Sequence, residues 1–171
     1  MDKKYLFKLS GVLTLFIALI LILCHYFRIS TDDYTYIAEV ERTGVIKIVS
    51  DSYLYWSGRF TAFAVLSTIF KIFRTHPSYF FLVPLCTFIV MLWGIYKLIG
   101  TVLQHYYIGF NNIKKWVLSL SFLSLLFFLS IDVGETWFWC SSMAGYLFCI
   151  VAFVWGLHFI IQPSGNLYCY L

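Results

Sequence analysis

Charge is what this sequence has least of. Aspartate, glutamate, lysine and arginine make up 12% of its 171 residues, against 61% hydrophobic and 22% aromatic residues. That balance lies far outside the composition of a soluble globular domain and defines an integral membrane protein. No Cys-x-x-Cys pair occurs. The five cysteines, Cys24, Cys86, Cys140, Cys149 and Cys169, lie in or beside apolar stretches and read as small membrane-buried residues, with Cys140 alone placed to meet the outer solution; no structural disulfide is expected. The four histidines, His25, His76, His105 and His158, share no ligand spacing and are assigned no metal. No span carries a central ionisable residue, the feature that marks a transport pathway, so a transporter is disfavoured. The basic start MDKKYLFK is followed by no small-x-small cleavage site, which makes the first segment an uncleaved anchor. A lipoprotein box at Cys24 would need a small residue before it, and Leu23 stands there. No internal repeat or low-complexity tract is present.

What the sequence does have is membrane-length apolar segments. A helix crossing about 30 Å of hydrocarbon needs roughly 20 residues, and four segments approach that: 6–27, 79–99, 116–131 and 143–161. The expected fold class is an all-α integral membrane protein with about four transmembrane helices. The stretch RFTAFAVLSTIFKIFR, 59–74, is different. Its roughly 14 residues between arginines reach only ~21 Å as a helix, with Lys71 in the last turn, so it is expected to lie in the interface or re-enter from one side.

That choice sets the topology. With Lys3, Lys4 and Lys8 in the cytoplasm, the positive-inside rule is met by Lys97, Lys114 and Lys115 on the same side. Both acidic stretches, ISTDDYTYIAEVER and SIDVGETWFW, then face outward, and every acid except Asp2 is outside. The formal charge of +4 hides a basic inner face, which needs no partner beyond anionic membrane lipid; nothing in the pattern calls for nucleic acid.

The first outer segment has internal order. STDD reads as a helix N-terminus, with Ser30 or Asp32 able to cap and Asp33 favoured in the first turn by the helix dipole. Gly44 breaks that helix. From Val45 the apolar residues recur at helical spacing through Val49, Trp56 and Phe60. Two amphipathic surface helices are expected, rich in interface-seeking aromatics.

One long span, an outer segment opening on paired acids, surface helices carrying YWSGR, and a second outer acid at a later helix edge resemble the N-terminal part of GT-C membrane glycosyltransferases. In detail, TDDY, WSGRF and ETWFW are similar to a bacterial family of uncharacterised GT-C-like membrane proteins, with the order matching over nearly the whole chain. The resemblance implies sugar transfer from a polyprenyl-phosphate donor on the outer face of the bacterial inner membrane. An acid of the first outer loop acts there as general base, and some members also bind a divalent metal such as Mg or Mn. On that reading Asp33 and Asp32 are the catalytic pair. A carboxylate in reach takes the proton that the acceptor hydroxyl loses. Arg59 suits the leaving lipid phosphate, with Lys71 or Arg74 as further cations. Tyr34, Trp56 and Trp137, together with Glu135, bind substrate. Asp33, Asp132 and Glu135 would supply the oxygen ligands of a metal.

Each feature also has a plainer meaning. Asp32 and Asp33 suit a helix cap, Arg59 a snorkelling interface residue, the tyrosines and tryptophans an aromatic belt, Glu135 a cap into the fourth span and Asp132 a stop signal. The competing class is a non-enzymatic membrane protein, a lipid-binding or assembly subunit. The end QPSGNLYCYL turns at Pro163 and Gly165 and resumes aromatic residues. The chain is therefore expected to be the N-terminal module of a longer enzyme, inactive alone.

Overall fold

The computed structural model describes residues 3–27, 29–56, 60–73, 75–106 and 111–162. Every regular element among them is helical. A first long helix, α1 (Lys3–His25), leads into α2 (Thr31–Thr43) and α3 (Val45–Asp51), the latter continued by a wider turn over Ser52–Trp56. Next come α4 (Phe60–Phe73), α5 (Leu82–His105), α6 (Asn112–Phe128) and α7 (Val133–Phe138). Finally α8 (Cys140–Ser142) runs through a wide turn over Met143–Leu147 into α9 (Phe148–Ile161).

Among the described residues, three helices are long and apolar enough to cross a membrane: Lys8–His25, Leu82–His105 and Cys140–Ile161. Of these, α5 is the most enclosed, with 39% of its most apolar stretch buried inside the protein against 22% for each of the others. The outward faces remain apolar, with Leu15, Ile22, Ile89, Phe153 and Ile160 all exposed, as a lipid-facing surface requires. Hydroxyl groups sit within the apolar helices because they are satisfied locally. Thr14, Thr68, Thr87 and Ser119 each donate to the carbonyl four residues earlier, at 2.7–2.8 Å, so these hydroxyls are not stranded in hydrocarbon.

The remaining expected span forms a helix, but a short one. Asn111 caps it, its side-chain oxygen accepting from the Ile113 amide at 3.2 Å, which starts α6 four residues before the expected Trp116. At the other end the extended backbone of Asp132 (φ −129°, ψ 106°) begins the cap of α7, and the chain has already turned at Leu129. The resulting 17 residues reach ~26 Å, less than the ~30 Å of a hydrocarbon core. By contrast α5 continues past the expected end at Ile99 to His105, because nothing between Gly100 and Gln104 breaks a helix. Within the segment expected at the interface, Phe60–Phe73 form a 14-residue apolar helix, α4, too short to span, as its sequence indicated.

Gly44 separates α2 from α3 as expected, and its backbone gives the reason. At φ +84° and ψ 160° it occupies a region open essentially to glycine alone. The break lets α3 fold back onto α4, while α2 packs on α4 and reaches α8.

The core lies at the end of the bundle where α4, α5, α6 and α7 converge. Phe70, Met91, Phe127 and Leu147 are all but inaccessible there. Phe88 stacks on Trp137 with centroids 4.9 Å apart and planes 13° from parallel, and Phe127 packs against the same indole. Farther along, α5 and α9 run side by side. The Trp155 indole donates to the Val90 carbonyl at 3.3 Å, and a Cβ on Gly94 would lie 2.8 Å from Trp155 Nε1. Glycine at that position lets the two helices approach, as small residues do between membrane helices.

Candidate functional site

Of the paired acids in the opening stretch, one is buried and one is not. Asp33 is completely inaccessible, whereas Asp32, its chain neighbour, is exposed. Both lie in the first turn of α2, where the helix dipole favours negative charge. Ser30 is the N-cap, and Asp33, three residues later, returns the reciprocal contact of a capping box: the Ser30 amide donates to Asp33 Oδ2 at 2.9 Å. The other carboxylate oxygen leaves the segment altogether. Asp33 Oδ1 accepts a hydrogen bond from Ser141 Oγ, 108 residues away in the chain. A buried carboxylate is tolerable only when its oxygens are so matched. Asp33 thereby ties the first acidic segment to the start of the last membrane-length helix, beside the fully buried Cys140.

Sequence patterning does not reveal Ser141. A serine in the first turn of an apolar helix ordinarily bonds back to its own backbone, and only the tertiary fold sets it opposite a carboxylate.

The second acidic segment is arranged more simply. Asp132 caps α7, its Oδ1 accepting from the Glu135 amide at 2.9 Å, and both side chains are exposed. Trp137 does not face solvent as a substrate platform. It is 2% exposed, held between Phe88 and Phe127, with its indole donating to Ser130 Oγ at 2.8 Å. Its neighbour Trp139 carries a buried indole N–H with no partner among the described residues, a costly condition that calls for an acceptor. Tyr34 is exposed. Tyr36 packs against Phe63 at 5.7 Å, and its hydroxyl titrates above the usual tyrosine range, first because of burial and then because of Asp32, Glu39 and Asp33. Arg59, Arg74 and the Trp56 side chain lie outside the described residues; Lys71, in the last turn of α4, is exposed.

The expected metal ligands do not come together. Among the described residues no three His, Cys, Asp or Glu side chains are placed to hold a metal ion. Asp33 is hydrogen-bonded inside the protein and Asp132 Oδ1 caps α7, a cap to which Glu135 contributes only its backbone amide.

An apolar groove of about 400 Å³ opens between α4, α5 and α9, lined by Ile69, Phe73, Val83, Cys86, Val90 and Val151. Comparison with family models, curated proteins and solved structures finds no match, so the likeness to GT-C enzymes rests on the sequence motifs.

Proposed function

We propose that the chain is the N-terminal portion of a polytopic membrane glycosyltransferase of the GT-C type, using a polyprenyl-phosphate-linked sugar on the outer face of the bacterial inner membrane, with its N-terminus cytoplasmic. The observation that carries this reading is the Asp33–Ser141 contact. It holds the first acidic segment against Ser141, two residues past the end of the second acidic segment, at one end of the bundle where an active site fed from the membrane would lie.

The helix directions support a reading of four crossings. Val90 meets Trp155 and Thr101 meets His158, so α5 and α9 run parallel, and the chain between them must return; α6 makes that crossing despite its length.

Within the site the two acids divide the work. Asp33 positions α2 against the last span, and exposed Asp32 is free to take the acceptor's proton. Tyr34 lies beside it on the exposed side, Arg59 and Lys71 supply cations for the lipid phosphate, and the groove against α4 accepts the prenyl chain. A divalent ion, where used, would draw on exposed acids such as Asp32 or Glu135.

The test is sugar transfer in membranes containing the full-length protein. Asp32→Asn is expected to lower transfer roughly 100-fold or more while leaving the thermal unfolding temperature unchanged. Undiminished transfer by that variant would remove Asp32 from the mechanism. The competing reading, a non-enzymatic lipid-binding or assembly subunit, is favoured by the use of both Asp33 and Asp132 in helix caps. Absence of transfer from any polyprenyl-phosphate sugar, with Asp32→Asn indistinguishable from the parent in assembly, would select it.

A further inference from the structure

The end of the bundle opposite Asp33 holds a second cavity of contrary character. It has a volume of about 230 Å³ and lies where the last turns of α5 and α9 meet the first turns of α6. Among the described residues, Lys97, Thr101, Gln104, Lys115, His158 and Gln162 line it, with no aspartate or glutamate. In a chain with so few charges, two lysines and a histidine around one cavity, with no counter-charge in its wall, set the sign of what it can hold.

Its inner wall is ordered. Thr101 and His158 are both buried, and Thr101 Oγ1 lies 2.9 Å from His158 Nδ1. The Thr101 hydroxyl also donates to the Lys97 carbonyl at 3.1 Å. Because a hydroxyl has one proton, Thr101 then accepts from Nδ1–H, which fixes the imidazole tautomer and leaves Nε2 as the ring's other polar atom. An aromatic shelf flanks the opening. Tyr96, also in the wall, stacks on Trp116 at 4.3 Å, and the Lys97 ammonium lies 5.2 Å above the Trp93 ring. Such a shelf is typical of the bilayer's headgroup level.

We propose that this cavity binds a phosphate group, held between Lys97 and Lys115 with hydrogen bonds from the amides of Gln104 and Gln162. Its size selects the ligand class. Pockets that enclose a whole small molecule run to roughly 300–1,000 Å³, so this one takes a charged group rather than an entire cofactor. That chemistry is shared by the headgroup of an anionic phospholipid and by free phosphate, and the location at an aromatic interface favours the headgroup. The assignment is independent of the glycosyltransferase reading, since it uses none of the acids and none of the segments at the Asp33 end.

Native mass spectrometry of the full protein, titrated in turn with phosphatidylglycerol, phosphatidylcholine and inorganic phosphate, tests it. Phosphatidylglycerol should bind in preference to phosphatidylcholine. The double change Lys97→Gln and Lys115→Gln should weaken that binding about 30-fold, at about fivefold per lysine, with arginine at both positions restoring it. Lys8→Gln, which removes an exposed lysine outside the cavity, should leave binding within about twofold. Comparable binding of inorganic phosphate, lost in the same variant, would uphold the site and assign it to a soluble phosphate. Equal affinity for the two lipids without phosphate binding, or an equal loss in Lys8→Gln, would overturn the proposal. Both cavity lysines are at least partly exposed, so glutamine leaves the fold intact, and an unchanged unfolding temperature of the double variant verifies it.

Discussion

The two acidic segments solve the same local problem and reach different results. Each places an aspartate at a helix N-terminus: Asp33 reaches back to the Ser30 amide at the start of α2, and Asp132 accepts from the Glu135 amide at the start of α7. In the second segment the bond stays local and the side chain stays wet. In the first, the carboxylate is completely buried and its second oxygen bridges to Ser141. A helix cap is therefore a property of sequence, and its weight in the fold is a property of what lies opposite.

Substitutions should expose the difference. Asp33→Ala leaves the half-buried Ser141 hydroxyl and Ser30 amide without their acceptor, and should destabilise the protein by roughly 2–4 kcal/mol, read as a large fall in the unfolding temperature in detergent. A fall no greater than that of Asp132→Ala would erase the distinction between the two segments. Gly44→Ala comes next. The new Cβ meets no neighbour, so any loss is backbone strain, about 1–3 kcal/mol, and it should loosen α2 without touching α7. Asp132→Ala removes an exposed cap and should cost about 1 kcal/mol.

The smallest effect concerns pH. Burial and then the charges of Asp32, Glu39 and Asp33 hold the Tyr36 hydroxyl above its unfolded value of about 10. A raised value means that the folded state keeps its proton longer. This stabilisation is complete below the unfolded value and is lost as pH climbs through the folded one. Phenolate absorbance, taken as the difference from Tyr36→Phe, should show a late titration that moves to lower pH in Asp32→Asn. The second acidic segment has no such reporter, and an unmoved titration would detach Tyr36 from the acids of α2.

The helical architecture was legible before any coordinates because it depends on patterns that act over one or two turns. The long apolar runs, the short α4 and the Gly44 break all belong to that class. So does Asp33 in the first turn of α2, whereas the cap expected of Glu135 is made by Asp132, read from the sequence as a stop signal. Trp137 was not legible. An indole after a polar turn looks the same whether it meets sugar, lipid or, as here, the Phe88 ring. Ser141 and the Thr101–His158 pair were hidden for a related reason: each depends on side chains 57 or more residues apart, and hydroxyls carry no periodicity. The early end of α6 was missed because Leu129 and Ile131 continue an apolar run that the backbone has already left.

The brevity of α6 bears on the membrane itself. On the proposed four-crossing arrangement, a return crossing of ~26 Å beside the ~36 Å of α5 would not match one uniform slab of hydrocarbon. Either the longer helix leans or the lipid alongside the shorter one is pinched, each at a fraction of a kcal/mol per Å. A pinch would dimple the bilayer on one flank of the protein, bringing the two headgroup layers closer together there. Thick, sterol-like or long-chain membranes would resist the dimple and thin ones accept it, so acyl-chain length would act on this protein as a mechanical variable in its own right.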